Sequence, residues 1–170
     1  MDPVDHAGPG YARVGPAADP QAPYARLAVV GLVRRTDGGA GPRWLLLHRT
    51  RPYEGWDPPG GRVEPDEDLV QAVKREVEEE AGLIVDVAGP CYGLLTFYKG
   101  ERLLAISMAC RAVGDPDAIC LELEEDHDAW RWATAAEWEA LAETRQSSWD
   151  LMDVKKATKA VEAVWEAEEG

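Results

Sequence analysis

Positive charge is scarce in this chain. Its 170 residues include 18 Lys and Arg against 32 Asp and Glu, for a net charge of −14. DNA, RNA and anionic membranes are all recognised through basic patches, so this balance argues against general binding to any of them. A phosphorylated small molecule remains admissible, because a bound divalent cation reverses the sign locally. Cysteine is scarce too: Cys91, Cys110 and Cys120 form neither a CxxC pair nor an even set. That argues against a disulfide framework and for a reducing compartment, so a cytoplasmic location is expected. No apolar run approaches the ~20 residues a membrane helix needs. Nor does the N-terminus carry a basic region followed by an apolar stretch, so no secretory signal is expected.

What is present suits one globular unit with a real core. Residues 1–23 are rich in Pro, Gly and Ala without a period and read as a mobile arm, leaving 24–170 as a single domain. Leu27–Val33 and Trp44–His48 read as strands, followed by a loop over Arg49–Gly55 and the Pro58-Pro59-Gly60-Gly61 turn. A helix is predicted from an Asp66 N-cap to about Ala81, with Gly82 as its C′ residue. Further strands are expected at Ile84–Val87, Gly93–Tyr98, Leu103–Arg111, Ala118–Leu123 and Ala129–Ala133, and helices at Ala135–Glu143 and Asp150–Glu168. Mixed strands around one central helix, closed by a terminal helix, predict an α+β fold of the αβα sandwich type.

The chemistry concentrates in Arg75-Glu76-Val77-Glu78-Glu79-Glu80. At about 100° per residue, Glu76, Glu79 and Glu80 share one helical face, where like charges repel by a few tenths of a kcal/mol per pair. Leu69, Val73, Val77 and Ala81 form an apolar stripe beside that face, so the acids lie at the edge of the core. A carboxylate cluster there calls for a cation, and all-oxygen ligation selects Mg²⁺, with Mn²⁺ as the alternative. Gly60 and Gly61 permit a sharp turn that brings a main-chain carbonyl within reach of such a metal. Arg75, one turn before Glu79, is placed to fix a glutamate rotamer.

The spacing also carries a resemblance. Gly61, five residues, Glu67, seven residues, Arg75-Glu76-Val77, one residue, Glu79-Glu80, one residue, Gly82-Leu83 resembles the Nudix box at every defined position. The order of elements from Ala25 to Trp138 is similar as well. The resemblance implies hydrolysis of a phosphoanhydride in a nucleoside diphosphate linked to another group, such as a nucleoside triphosphate. It implies metal held by Glu76, Glu79, Glu80 and the Gly60 carbonyl, with Gly61, Glu67 and Gly82 as structural members of the box. A further acid beyond the box completes the site in relatives; alignment on Trp132 points to Asp126, with Glu125 beside it. His127 is expected in the same loop. A nucleotide-sensing domain without catalysis is the alternative function, and a homodimer is compatible with the family.

Substrate contacts are less legible. Arg49 and Arg51 leave the second strand just before the turn, where cations could receive phosphates. Tyr53, in a Pro/Gly-rich loop, is the expected stacking partner for a base.

Overall fold

In the computed structural model the described residues are 11–12, 26–37, 39, 41–98, 101–121 and 126–170. The expected arm therefore lies outside them, except for Tyr11–Ala12 (β1), which pairs with a later strand. The apolar run Leu27–Val33 lies within a central strand, β2 (Arg26–Arg35), flanked by β3 (Arg43–Arg49). Two short strands, β4 (Gly55–Asp57) and β5 (Gly60–Arg62), occupy the segment expected as loop and turn. They are followed by α1 (Leu69–Ala81), β6 (Val85–Tyr98), β7 (Glu101–Ala112), β8 (His127–Thr134), α2 (Ala135–Glu143) and α3 (Leu151–Glu169). One mixed sheet runs β1-β6-β7-β2-β3-β4, with β5 paired to β2 and β8 to β3. β2 and β7 run parallel, Arg26 opposite Leu103, while the other pairings are antiparallel.

β3 shows why helices cover both faces. Successive side chains alternate across a strand, and here both sets are apolar. Leu45 and Leu47 join Val29, Val33, Val73, Val77 and Met108 under α1. Trp44 and Leu46 join Leu32, Trp138, Val154, Ala157, Val161 and Trp165 under α2 and α3. This is the αβα sandwich of the expectation. Among the described residues no helix is long and apolar enough to cross a membrane.

Three expectations need correction. The N-cap of α1 is Asp68, not Asp66: its carboxylate accepts from Gln71 N at 2.8 Å while the Gln71 side chain returns to Asp68 N at 2.9 Å. This reciprocal box satisfies two donors, whereas Asp66 sits in the preceding turn. The pieces expected at Ile84–Val87 and Gly93–Tyr98 merge, from Val85 onward, in one strand, β6, whose register against β7 shifts at Ala88 and Cys91; the extra residues are absorbed as bulges. The segment Ala118–Leu121 is irregular rather than a strand, and the rest of that expected strand lies outside the described residues. Its backbone has another partner: Cys120 N donates to Ala81 O at 3.0 Å, satisfying a carbonyl at the end of α1. Gly82 closes that helix as expected, at φ 69 with its N–H donating to Glu78 O.

Candidate active site

α1 lies on one face of the sheet, and the Gly60–Gly61 strand runs past its acidic edge. A Cβ on Gly60 would overlap the Val29 carbonyl oxygen and stand 3.0 Å from Val30 Cα. A Cβ on Gly61 would overlap the Glu76 carboxylate, with Oε2 only 2.6 Å away. The two glycines thus serve different contacts: Gly60 lets β5 close against β2, and Gly61 makes room for a functional side chain.

Arg75 organises the acids. Its Nε and Nη2 donate to Glu67 at 3.0 and 2.6 Å, a fork-to-fork pair. Nη1 reaches Glu76 at 2.8 Å and Glu79 at 3.2 Å, and Nη2 also donates to the Arg62 carbonyl. The expected Arg75–Glu79 contact is present, but Glu67 is the main partner. The hydrogen bonds from Arg75 hold the Glu67 carboxyl below its ordinary value. That sign fixes a pH dependence. A depressed folded-state pKa gives stability present above the unfolded value, near 4.5, and lost as pH falls through the folded one. Glu67→Gln is therefore expected to lower the thermal midpoint at neutral pH and to converge on the parent as the pH falls through the depressed folded-state value. A pH series of melting curves checks this.

The three glutamates differ in surroundings. Glu76 and Glu80 have side chains only 12% and 7% exposed, whereas Glu79 is 51% exposed. Burial pushes the Glu76 carboxyl above its ordinary value; Arg75 opposes the rise and Glu79 adds to it. Among the described residues no three His, Cys, Asp or Glu side chains already stand close enough to hold a metal ion. The donor set nevertheless fits one. Its members are carboxylate oxygens on one helical face, two of them desolvated, and a hard divalent cation is the counter-charge such a set accommodates.

Glu80, Gly60 and Gly61 line one end of a cavity of about 740 Å³. In cross-strand register, Ala28, Ala105 and Leu94 form an apolar floor. Trp149, Met152 and Lys156, around the start of α3, also line it, as do Arg49, Tyr53, Asp57 and His127. Arg49 thus lines the cavity. Arg51 does not line it: its exposed guanidinium pairs with Asp126, Nε at 3.0 Å and Nη2 at 2.9 Å. Asp126, the expected acid beyond the box, is occupied by that pair, and Glu125 lies outside the described residues.

Among the described residues of this segment, His127 meets the glutamate helix. It opens β8 rather than sitting in a loop, it is 8% exposed, and its Nε2 lies 3.6 Å from Glu80 Oε2. Burial, followed by the Arg49 charge, pushes its pKa down to about 4, so the imidazole is neutral at pH 7. The sequence signal was one of strand length: β8 starts two residues earlier than the apolar pattern indicated.

Tyr53 also needs correction. Its ring is 4% exposed and its hydroxyl donates to Asp57 at 2.6 Å, so it is built into the wall rather than standing open for a base. Asp57 is the centre of a latch, accepting from Tyr53 Oη, Ser147 Oγ, Ser148 N and Ser148 Oγ. These bonds tie β4 to the α2–α3 loop and so fix the Trp149 side of the cavity. Asp57→Ala removes the shared acceptor of four donors and is expected to cost about 2–4 kcal/mol in denaturant unfolding. A loss under about 1 kcal/mol would mean the latch is not a structural tie.

Comparison with known proteins adds a second line. A domain model described as the NUDIX domain matches residues 25–154. An asymmetrical bis(5'-nucleosyl)-tetraphosphatase of Caenorhabditis elegans is 29% identical over 52% of this chain and 65% of its own length. An RNA pyrophosphohydrolase of Caulobacter vibrioides is 34% identical over 52% of this chain and 62% of its own. The chain thus spans less than two thirds of these relatives. A solved NUDIX hydrolase structure from Nitrosomonas europaea superposes with a TM-score of 0.62 at 20% identity, covering 85% of this chain and 90% of that one, a likeness of fold.

Proposed function

Since this chain belongs to the Nudix family, we propose that it hydrolyses a phosphoanhydride bond in a nucleoside diphosphate linked to a second group, with a nucleoside triphosphate or related nucleotide as substrate. One observation carries the reading. Glu80 and the Gly60–Gly61 strand, where hard oxygen donors gather, line the same 740 Å³ cavity as an apolar floor and an indole wall. That is room for a nucleoside, with its phosphates directed at the acids.

In this reading Glu76, Glu79, Glu80 and the Gly60 carbonyl hold Mg²⁺. Bound there, the ion supplies neutralisation of phosphate charge and acidification of water. The protein's own part is positional. Arg75 keeps Glu67, Glu76 and Glu79 in one array. Arg49 and Lys156, both lining the cavity, offer cations to the phosphates, and the apolar Ala28, Ala105 and Leu94 exclude water beneath the base. Water attacks one phosphorus in line: a P–O bond to water forms as the bridging P–O bond breaks, and the leaving phosphate carries off the electron pair. Such a displacement asks the enzyme for orientation and charge stabilisation more than for covalent help. A net charge of −14 favours a small nucleotide over long RNA. The free thiols of Cys91, Cys110 and Cys120 suit the cytoplasm.

The test is a panel of nucleoside triphosphates, dinucleoside tetraphosphates, nucleotide sugars and 5′-triphosphate RNA with Mg²⁺ or Mn²⁺. Products are resolved as nucleotide, phosphate and pyrophosphate. Turnover of at least one small nucleotide is expected. Tight binding without turnover across the whole panel would replace the hydrolase with a nucleotide sensor.

A further inference from the structure

We propose that His127 is a positioning residue that holds the Glu80 carboxylate in the orientation needed to receive a divalent cation. This rests on the hydrolase reading and adds to it a residue outside the box. Four observations converge. Nε2 of His127 lies 3.6 Å from Glu80 Oε2, with the two side chains only 4% and 7% exposed. Nδ1 of His127 is buried and has no hydrogen-bond partner among the described residues. Both residues line the cavity. The backbone at His127 is held opposite Arg49 in the sheet, beside a 2.7 Å bond from Thr50 N to Asp126 O.

These facts select a tautomer. An imidazole carrying one N–H can hold it on either nitrogen. On Nδ1 that proton would be a buried donor with no acceptor among the described residues. On Nε2 it faces a carboxylate and leaves only a bare lone pair on Nδ1. The Nε2–H form is therefore preferred, and its N–H is aimed at Glu80. At 3.6 Å the pair stands just beyond the 2.7–3.2 Å range typical of a direct hydrogen bond, so a shift of about 0.5 Å in either side chain closes it. Carboxylates that bind metals are themselves held by hydrogen bonds, and losing such a partner typically weakens metal binding about 10–100-fold. Asp126 cannot serve in the same way from its present place, because Arg51 occupies its carboxylate.

The test uses the full chain, Mn²⁺ as the probe, and the electron paramagnetic resonance signal of free Mn²⁺ as a readout independent of turnover. His127→Phe keeps a ring but has no donor; His127→Gln places an amide N–H near the Nε2 position. Phenylalanine is expected to weaken Mn²⁺ binding about 10–100-fold, with kcat falling at fixed metal while the nucleotide KM changes little. Glutamine is expected to recover most of both. If the larger ring prevents folding, His127→Leu takes its place. Unchanged Mn²⁺ affinity in the phenylalanine or leucine variant overturns the proposal. So does a glutamine variant that binds as weakly as phenylalanine while melting with the parent, since packing alone would then be at stake. A parent protein that binds no Mn²⁺ and turns over no nucleotide overturns the hydrolase reading along with it.

Discussion

Glu79→Gln and Glu80→Gln are each expected to lower kcat about 10²-fold or more, on the scale of losing one strong electrostatic contact in a transition state. The substitution keeps shape and removes charge, so it isolates the carboxylate's part. The accompanying stability change should differ between the two. Glu80 is buried beside Glu76, and burial already pushes the Glu76 carboxyl up. Glu80 also hydrogen-bonds the Glu76 carboxyl; a glutamine there keeps a donor and removes a buried charge, so metal-free Glu80→Gln should be at least as stable as the parent. Glu79 is half exposed and bonded to Arg75, so Glu79→Gln should leave stability nearly unchanged. Steady-state rates at saturating Mg²⁺, read beside denaturant unfolding without metal, check both halves. Near-normal rates in both variants would move the metal away from this helix.

The adjacent glycines should fail in different ways. Gly60→Ala drives a methyl group into the Val29 carbonyl and the backbone at Val30. Neither can move without opening the β2–β5 pairing, so a loss of about 1–3 kcal/mol in unfolding is expected. Gly61→Ala meets the end of a side chain instead, and the Glu76 carboxylate can swing away. Stability should then change little, while the displaced ligand lowers the rate about 10²-fold, the scale of an ångström-level misplacement in a catalytic array. Equal destabilisation in both variants would show that Gly61 is a backbone requirement like its neighbour.

The parts of this molecule legible in the sequence are those whose causes are local. The end of α1 at Gly82, the face shared by Glu76, Glu79 and Glu80, and the helices at Ala135 and Asp150 follow from periodicity and caps within a few residues. The start of α1 was misplaced because Asp66 and Asp68 are both competent caps. Gln71, three residues after Asp68, was the discriminating signal. The two strands expected at Ile84–Val87 and Gly93–Tyr98 are joined in one long strand, because Ala88 and Cys91 are taken up as irregularities in its pairing with β7. What could not be read depends on distant partners. Asp57 joins residues some 90 positions later, and no local pattern announces that. Nor does spacing within the Glu124–Asp128 segment reveal that Arg51 takes Asp126 and leaves His127 to face Glu80.

The parallel pairing of β2 with β7 has a consequence for synthesis. β2 is the apolar centre of the sheet, yet Arg26 finds its neighbour only at Leu103. On a translating ribosome the Val29–Val33 stretch emerges well before that neighbour exists. Until β7 arrives, one long edge of this strand is open to any other extended chain. The growing polypeptide is therefore most vulnerable to aggregation after α1 has been made and before β7 is complete, and a holdase chaperone acting on nascent chains would protect it most in that interval.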